Sequence, residues 1–153
     1  MPSLPALDPA SVPEWHGSAY PESLRARLGT RGKRPIGTLL GLTHFGVNLT
    51  RLEPGACSAL RHWHSHEDEF VYVLEGEVTL VTDAGEQVLG PGMAAGFAAW
   101  VADGHHLINR TDRLALYLEV GDRSPDDEVR YPDDDLVLCR RDGVFRHAGG
   151  EPY

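Results

Sequence analysis

Cysteine is nearly absent: Cys57 and Cys139 are the only two in 153 residues. Two thiols do not make a disulfide framework, and they read as reduced, partly buried side chains in a reducing compartment. No apolar run approaches the length, about eighteen residues, that a membrane-spanning helix needs. Met1-Pro2-Ser3-Leu4-Pro5 has neither the basic start nor the apolar core of a secretory leader. A cytoplasmic location is therefore expected. Basic residues are scarce, 14 Lys and Arg against 23 Asp and Glu, for a formal net charge of −9. That balance argues against nucleic acid, whose phosphates ask for a basic surface, and against an anionic bilayer. Also missing is any amphipathic periodicity that would support a helix of three or more turns.

What is present points to β structure. Hydrophobic residues make up 41% and charged residues 24%, a globular rather than a disordered balance. Seventeen glycines and eleven prolines suit the frequent turns of a short-stranded protein. A chain this long can bury one sizeable core as a single domain.

Residues 1–35 read as an irregular N-terminal arm, interrupted by Pro2, Pro5, Pro9, Pro13 and Pro21. Within it, Pro21 to Leu28 has the charge order of a short helical turn, Glu22 early and arginines late. Thr30-Arg31-Gly32-Lys33-Arg34-Pro35 is a basic, turn-rich connector. It reads as part of an arm wrapping the domain or a partner subunit, with a basic binding patch as the sharper alternative.

From Ile36 the texture changes, and residues 36–121 read as a barrel. Thr38 to Leu52 alternates like a strand, with Phe45, Val47, Leu49 and Arg51 on one face. Ser58 to His64, Glu69 to Leu74 and Val78 to Val81 follow, the last two joined by a turn at Glu75-Gly76-Glu77. Gln87 to Leu89, Met93 to Phe97, His105 to Asn109 and Ala115 to Val120 complete the series. Short strands at this spacing predict an all-β sandwich or barrel. Residues 122–153 form an acidic extension packing on the barrel. Asp122, Asp126, Asp127, Glu128, Asp133, Asp134 and Asp135 make its first part read as solvated. Leu136 to Cys139 and Val144 to His147 are strand-like pieces for an edge.

Five of the eight histidines fall between positions 62 and 106. His62 and His64 flank Trp63 and share one face of a strand, because strand side chains alternate. Glu69 follows five residues later. Asp103-Gly104-His105-His106-Leu107-Ile108-Asn109 offers a further imidazole. Together these supply three nitrogens and one oxygen to one ion. Alternation lets only one of His105 and His106 face inward, and the spacing to Asn109 favours His105. A shifted pair, His64 and His66, is open on parity; His66 is expected to face solvent.

These residues resemble the cupin superfamily. Gly55, six residues, His62-Trp63-His64, four residues, Glu69, six residues and Gly76 follow its first motif. Gly85, five residues and Pro91, then His105, three residues and Asn109, follow its second. The resemblance covers roughly residues 37 to 120. It implies a double-stranded β-helix, or jelly roll, of the small single-domain kind. It implies that His62, His64, Glu69 and His105 bind a divalent transition metal, and that the chain forms a homodimer. Imidazole and carboxylate ligands suit Fe or Mn first, with Zn, Ni, Co or Cu open. The absence of thiol ligands argues against a closed structural zinc site.

The leading expectation is a metal-dependent enzyme on a small molecule, with an oxygenase as first choice. Isomerase or lyase chemistry at the same ion and a non-catalytic sensor are the alternatives. No residue identifies itself as the general base that isomerisation needs. Glu67 and Asp68 read as a solvated loop beside the site. Arg51 and Arg61 are candidates for holding an acidic substrate, though each reads better as a surface side chain. Phe45, Tyr72, Phe97 and Trp100 read as barrel mouth or core. Asn109 reads as a residue that orients a ligand by hydrogen bonding.

Overall fold

The computed structural model describes residues 5–153. In chain order it contains α1 (Glu22–Arg25), β1 (Arg31–Arg34), α2 (Ile36–Leu39), β2 (Phe45–Leu52), β3 (Trp63–His64), β4 (Glu69–Glu75) and β5 (Val78–Thr82). Then follow β6 (Gly85–Leu89), β7 (Ala94–Phe97), β8 (His106–Ile108), β9 (Ala115–Asp122), β10 (Glu128–Tyr131), β11 (Leu136–Cys139) and β12 (Val144–Arg146). Among the described residues no helix is long and apolar enough to cross a membrane.

One wall is a five-stranded antiparallel sheet in the order β1-β2-β9-β4-β7. The facing wall holds two smaller sheets, β6-β5-β8 and β12-β11-β10-β3. Reciprocal backbone bonds between His62 and His105, at 3.1 and 2.8 Å, stitch these two together. Leu52, Val71, Val73 and Tyr117 from the first wall meet Val78, Leu80, Leu89 and Leu107 from the second in one core. This is the all-β jelly roll that the spacing of short strands predicts. A second cluster joins the N-terminal arm to the C-terminal extension, where Tyr20 and Leu28 pack on Val129, Tyr131 and Leu136.

Local departures from the sequence reading have physical causes. The strand expected from Thr38 starts only at Phe45, because Pro35 leads into the turn α2 and Gly41 adopts a φ of 77°. The strand expected over Ser58 to His64 shortens to β3, preceded by a single bridge at His62 and by bends over residues 58–61. The connector at Thr30 to Pro35 is strand β1, paired with β2 from Arg31↔Leu52 to Arg34↔Leu49. In the acidic extension, β10 forms where none was expected: Val129 and Tyr131 are buried while Arg130 stays exposed. The helical turn at Pro21 to Leu28 is present, as α1 and a following 3-10 turn. Leu136–Cys139 and Val144–Arg146 pair at the edge of their sheet, as read from the sequence.

Gly76 shows why the turn after β4 is a glycine. Its φ is 73°, and a Cβ there would stand 2.4 Å from the Leu114 carbonyl oxygen. Only a residue without a side chain lets the β4–β5 hairpin lie against the start of β9.

Candidate metal centre

Three imidazoles converge on one carboxylate oxygen. Glu69 opens β4, with its backbone paired to Gly121 of β9 and Phe97 of β7. Its Oε2 lies 2.7 Å from His105 Nε2, 3.2 Å from His64 Nε2 and 3.4 Å from His62 Nε2. His64 enters from β3, and His62 and His105 are bridge partners with ring centroids 4.7 Å apart. The structure thus brings together all four side chains singled out from the sequence. His105 faces the site, while His106 turns away and its Nδ1 meets the Ala59 carbonyl at 3.0 Å. His66 is exposed.

The rings are held by contacts on their far edges. His62 Nδ1 donates to the Leu60 carbonyl at 2.8 Å, and His64 Nδ1 donates to Asp127 Oδ2 at 2.7 Å. Phe97 stacks on His105 with ring centroids 3.5 Å apart and planes 1° from parallel. With Nδ1 occupied, Nε2 of His62 and His64 is the nitrogen left to face the centre.

A divalent ion fits this arrangement. Donor bonds of about 2.1 Å place neighbouring ligand atoms about 3 Å apart, which matches the spacings to Glu69 Oε2. The donor atoms of His62, Glu69 and His105 lie within 4.8 Å of one another. His64 Nε2 is buried with no hydrogen-bond partner among the described residues, an orphan that an ion would satisfy. The set is imidazole and carboxylate without thiol, which suits a first-row transition metal. Cys57 and Cys139 are free, and burial pushes the Cys57 thiol up.

Electrostatics in the protein alone follow from the crowding. Burial works against a charged His64, but Asp127 and Glu69 outweigh it and push the imidazole up to about 9. Burial would raise Glu69, yet the hydrogen bond from His105 and the close imidazoles of His62 and His64 hold it well below the usual carboxylate range. Burial dominates at His105 and lowers it, with Glu69 opposing.

Several residues were placed differently by the sequence. Asp127, expected to be solvated, is fully buried; beyond His64 it accepts from the His66 backbone N–H at 2.8 Å. Its signal was the alternation Asp127, Val129, Tyr131, hidden in a run of acids. Glu67 is buried too, accepting from the Ser124 N–H at 3.0 Å and pairing with Arg140 at 3.3 Å. Asn109 does not face a ligand: its amide donates to the Leu52 and Arg113 carbonyls at 3.0 and 2.7 Å and braces a loop. Of the four aromatics, only Phe97 touches the site. Phe45, Tyr72 and Trp100 are exposed because their strand or loop positions face outward. Arg51 and Arg61 are tied to carboxylates, Glu14 and Asp133 respectively.

The centre opens on a cavity of about 830 Å³ between the two walls. Glu67, Tyr117 and Glu119 line it, and Trp15 and Tyr20 bring the N-terminal arm to it. Glu119 stands on β9 opposite Val71, a diagonal step from Glu69 across the β4–β9 pair. Diagonal neighbours of this kind lie about 7 Å apart, room for a small polar molecule between them.

Comparison with known proteins agrees with the geometry. Residues 48–121 match the model of the Cupin domain family Cupin_2. A sugar phosphate isomerase of the cupin superfamily from Silicibacter pomeroyi is 43% identical, over 97% of this chain and 96% of its own, with a TM-score of 0.91. A putative sugar phosphate isomerase from Acidithiobacillus ferrooxidans is 32% identical over 77% of this chain and 75% of its own, with a TM-score of 0.72. A predicted oxalate decarboxylase from Thermotoga maritima shares the fold alone, at 16% identity and a TM-score of 0.64 over 78% of this chain and 99% of its own. No curated protein matches. Motifs, barrel and full-length likeness together place the chain in the cupin superfamily, as a small cupin of the Cupin_2 type with a possible metal site.

Proposed function

We propose that this protein is a metal-dependent isomerase of sugar phosphates. The observation that carries the proposal is the cluster of three imidazoles around Glu69 Oε2, set beside a second carboxylate, Glu119, in one cavity. The likeness at 43% identity to a sugar phosphate isomerase, over nearly the whole of both chains, favours this reading over oxygenase chemistry.

Interconverting an aldose and a ketose moves a proton between adjacent carbons and another between their oxygens. A bound divalent ion supplies Lewis acidity to those oxygens. His62, His64, Glu69 and His105 would hold it. The chain must supply the proton carrier. Glu67 lies on the Nδ1 side of His64, away from the centre. We therefore assign the transfer to Glu119, which hydrogen-bonds Asn48 at 3.1 Å and contacts Lys33.

The test is isomerisation of a panel of pentose and hexose phosphates by metal-loaded protein in deuterated water. Turnover with deuterium entering the carbon next to the carbonyl is expected. Glu119→Gln should lower it about a hundredfold or more while metal occupancy is unchanged. Oxygen uptake without isomerisation would return the oxygenase reading, and ligand binding without turnover would return the sensor.

A further inference from the structure

β1 turns two cations into the cavity. Alternation sets Arg31 and Lys33 on one face of the strand, and both line the cavity. Gly32 and Arg34 take the other face, toward Glu14 of the arm: Arg34 is 3.5 Å from that carboxylate, and a Cβ at Gly32 would overlap it.

These cations differ in company. Lys33 is engaged by Glu119, and Arg140 at the cavity wall is 3.3 Å from Glu67. Arg31 is half-buried and has no carboxylate partner among the described residues; its guanidinium donates to the Ser58 carbonyl. In a chain of net charge −9, a half-buried guanidinium without a counter-charge leaves local positive potential unbalanced. A second, independent feature lies in the same cavity. Tyr117 is wholly buried, and its hydroxyl has no hydrogen-bond partner among the described residues. An unmatched buried donor of this kind is destabilising, and a ligand oxygen would relieve it.

We propose that Arg31, with Lys33 beside it and the Tyr117 hydroxyl as a neutral donor, is the subsite for the phosphate of the substrate. This rests on the isomerase reading for the rest of the molecule it holds. A planar guanidinium grips two phosphate oxygens at once, and a lysine adds a point charge. The sheet register gives the substrate its direction. Arg31 pairs with Leu52, Lys33 with Thr50, Glu119 with Asn48 and Glu69 with Gly121. Along the five-stranded wall the order is therefore Arg31, Lys33, Glu119, Glu69. A phosphate at the Arg31 end leaves the carbonyl end of a short sugar near Glu119 and Glu69.

Calorimetric titration of the full-length protein with inorganic phosphate, glucose 6-phosphate and glucose tests the subsite. Both phosphates should bind and glucose should not at the same concentration. Arg31→Gln should weaken both phosphates about tenfold or more, with Arg31→Lys in between. Arg123→Gln, an exposed cation at the cavity rim whose partners are the Leu42 carbonyl and the Thr38 hydroxyl, should change them by less than about twofold. Mn(II) binding, read separately, should be the same in all four proteins. Equal phosphate affinity in parent and Arg31→Gln, or no phosphate binding by the parent, overturns the subsite. So does a loss in Arg31→Gln that comes with lost Mn(II) binding and is not partly restored by Arg31→Lys. Isomerisation with an unchanged KM in Arg31→Gln removes the subsite and keeps the isomerase. Phosphate held through Arg31 without isomerisation of any sugar phosphate does the reverse.

Discussion

Asp127 makes the site more than four side chains. Its carboxylate is fully buried, accepts a hydrogen bond from His64 Nδ1–H at 2.7 Å and is fastened by the His66 N–H. This contact selects which nitrogen of His64 is free to face Glu69, and it raises the basicity of that nitrogen. Asp127→Asn keeps the shape and loses the charge. It should weaken Mn(II) or Fe(II) binding by about ten- to a hundredfold in a competition titration, with the fold intact by circular dichroism. His62→Ala and His64→Ala should each lower metal occupancy further, as read by elemental analysis, whereas His66→Ala should leave it near the parent value. Equal loss in all three would remove the assignment of ligands. The convergence of His62, His64, Glu69 and His105 was legible in the sequence because motif spacing and strand parity both select them. Asp127 was not, because a single carboxylate in an acidic run carries no mark of burial.

Among elements, legibility followed the strength of the period. β4, β5 and β9 are rich in Val, Tyr and Leu and appear within two residues of their expected ends. β1 was missed because Arg31, Lys33 and Arg34 read as a solvated charge cluster; its pairing is set by the backbone of β2, not by its own side chains. β10 was missed for the same reason with the opposite sign of charge. The turn at Gly76 was legible and the one at Gly41 was not, and Gly76 provides the sharpest test. Gly76→Ala adds a Cβ at a φ of 73° and 2.4 Å from the Leu114 carbonyl. Thermal unfolding should show a loss of roughly 1–3 kcal/mol or more, because both backbone strain and a backbone clash oppose it. Gly41→Ala, at a φ of 77° but with open space around it, should cost less.

At the scale of the whole molecule, the arm is fastened to the barrel by charge as well as by packing. Glu14 Oε1 lies 2.5 Å from Arg51 Nη2, and the Trp15 and Lys33 backbones bond reciprocally at 2.8 and 2.9 Å. The hydrogen bond from Arg51 holds the Glu14 carboxyl below its usual value, with burial opposing. A carboxyl depressed on folding stabilises the native state above its unfolded pKa and loses that contribution as pH falls through the folded one. Stability measured by urea unfolding should therefore drop below about pH 4.5 more steeply in the parent than in Glu14→Gln. The Glu14→Gln protein should be the less stable of the two at neutral pH.

Residues 48–121 match the shared family domain, yet Asp127 and Arg31 lie on either side of that span. A fragment trimmed to the common barrel would retain His62, His64, Glu69 and His105 and forfeit the carboxylate that orients His64 and the guanidinium proposed to grip phosphate. Chemistry in this protein thus belongs to its margins as much as to its middle. Swapping those flanks between related barrels, with the donors left untouched, is the direct way to redirect which molecules such a scaffold accepts.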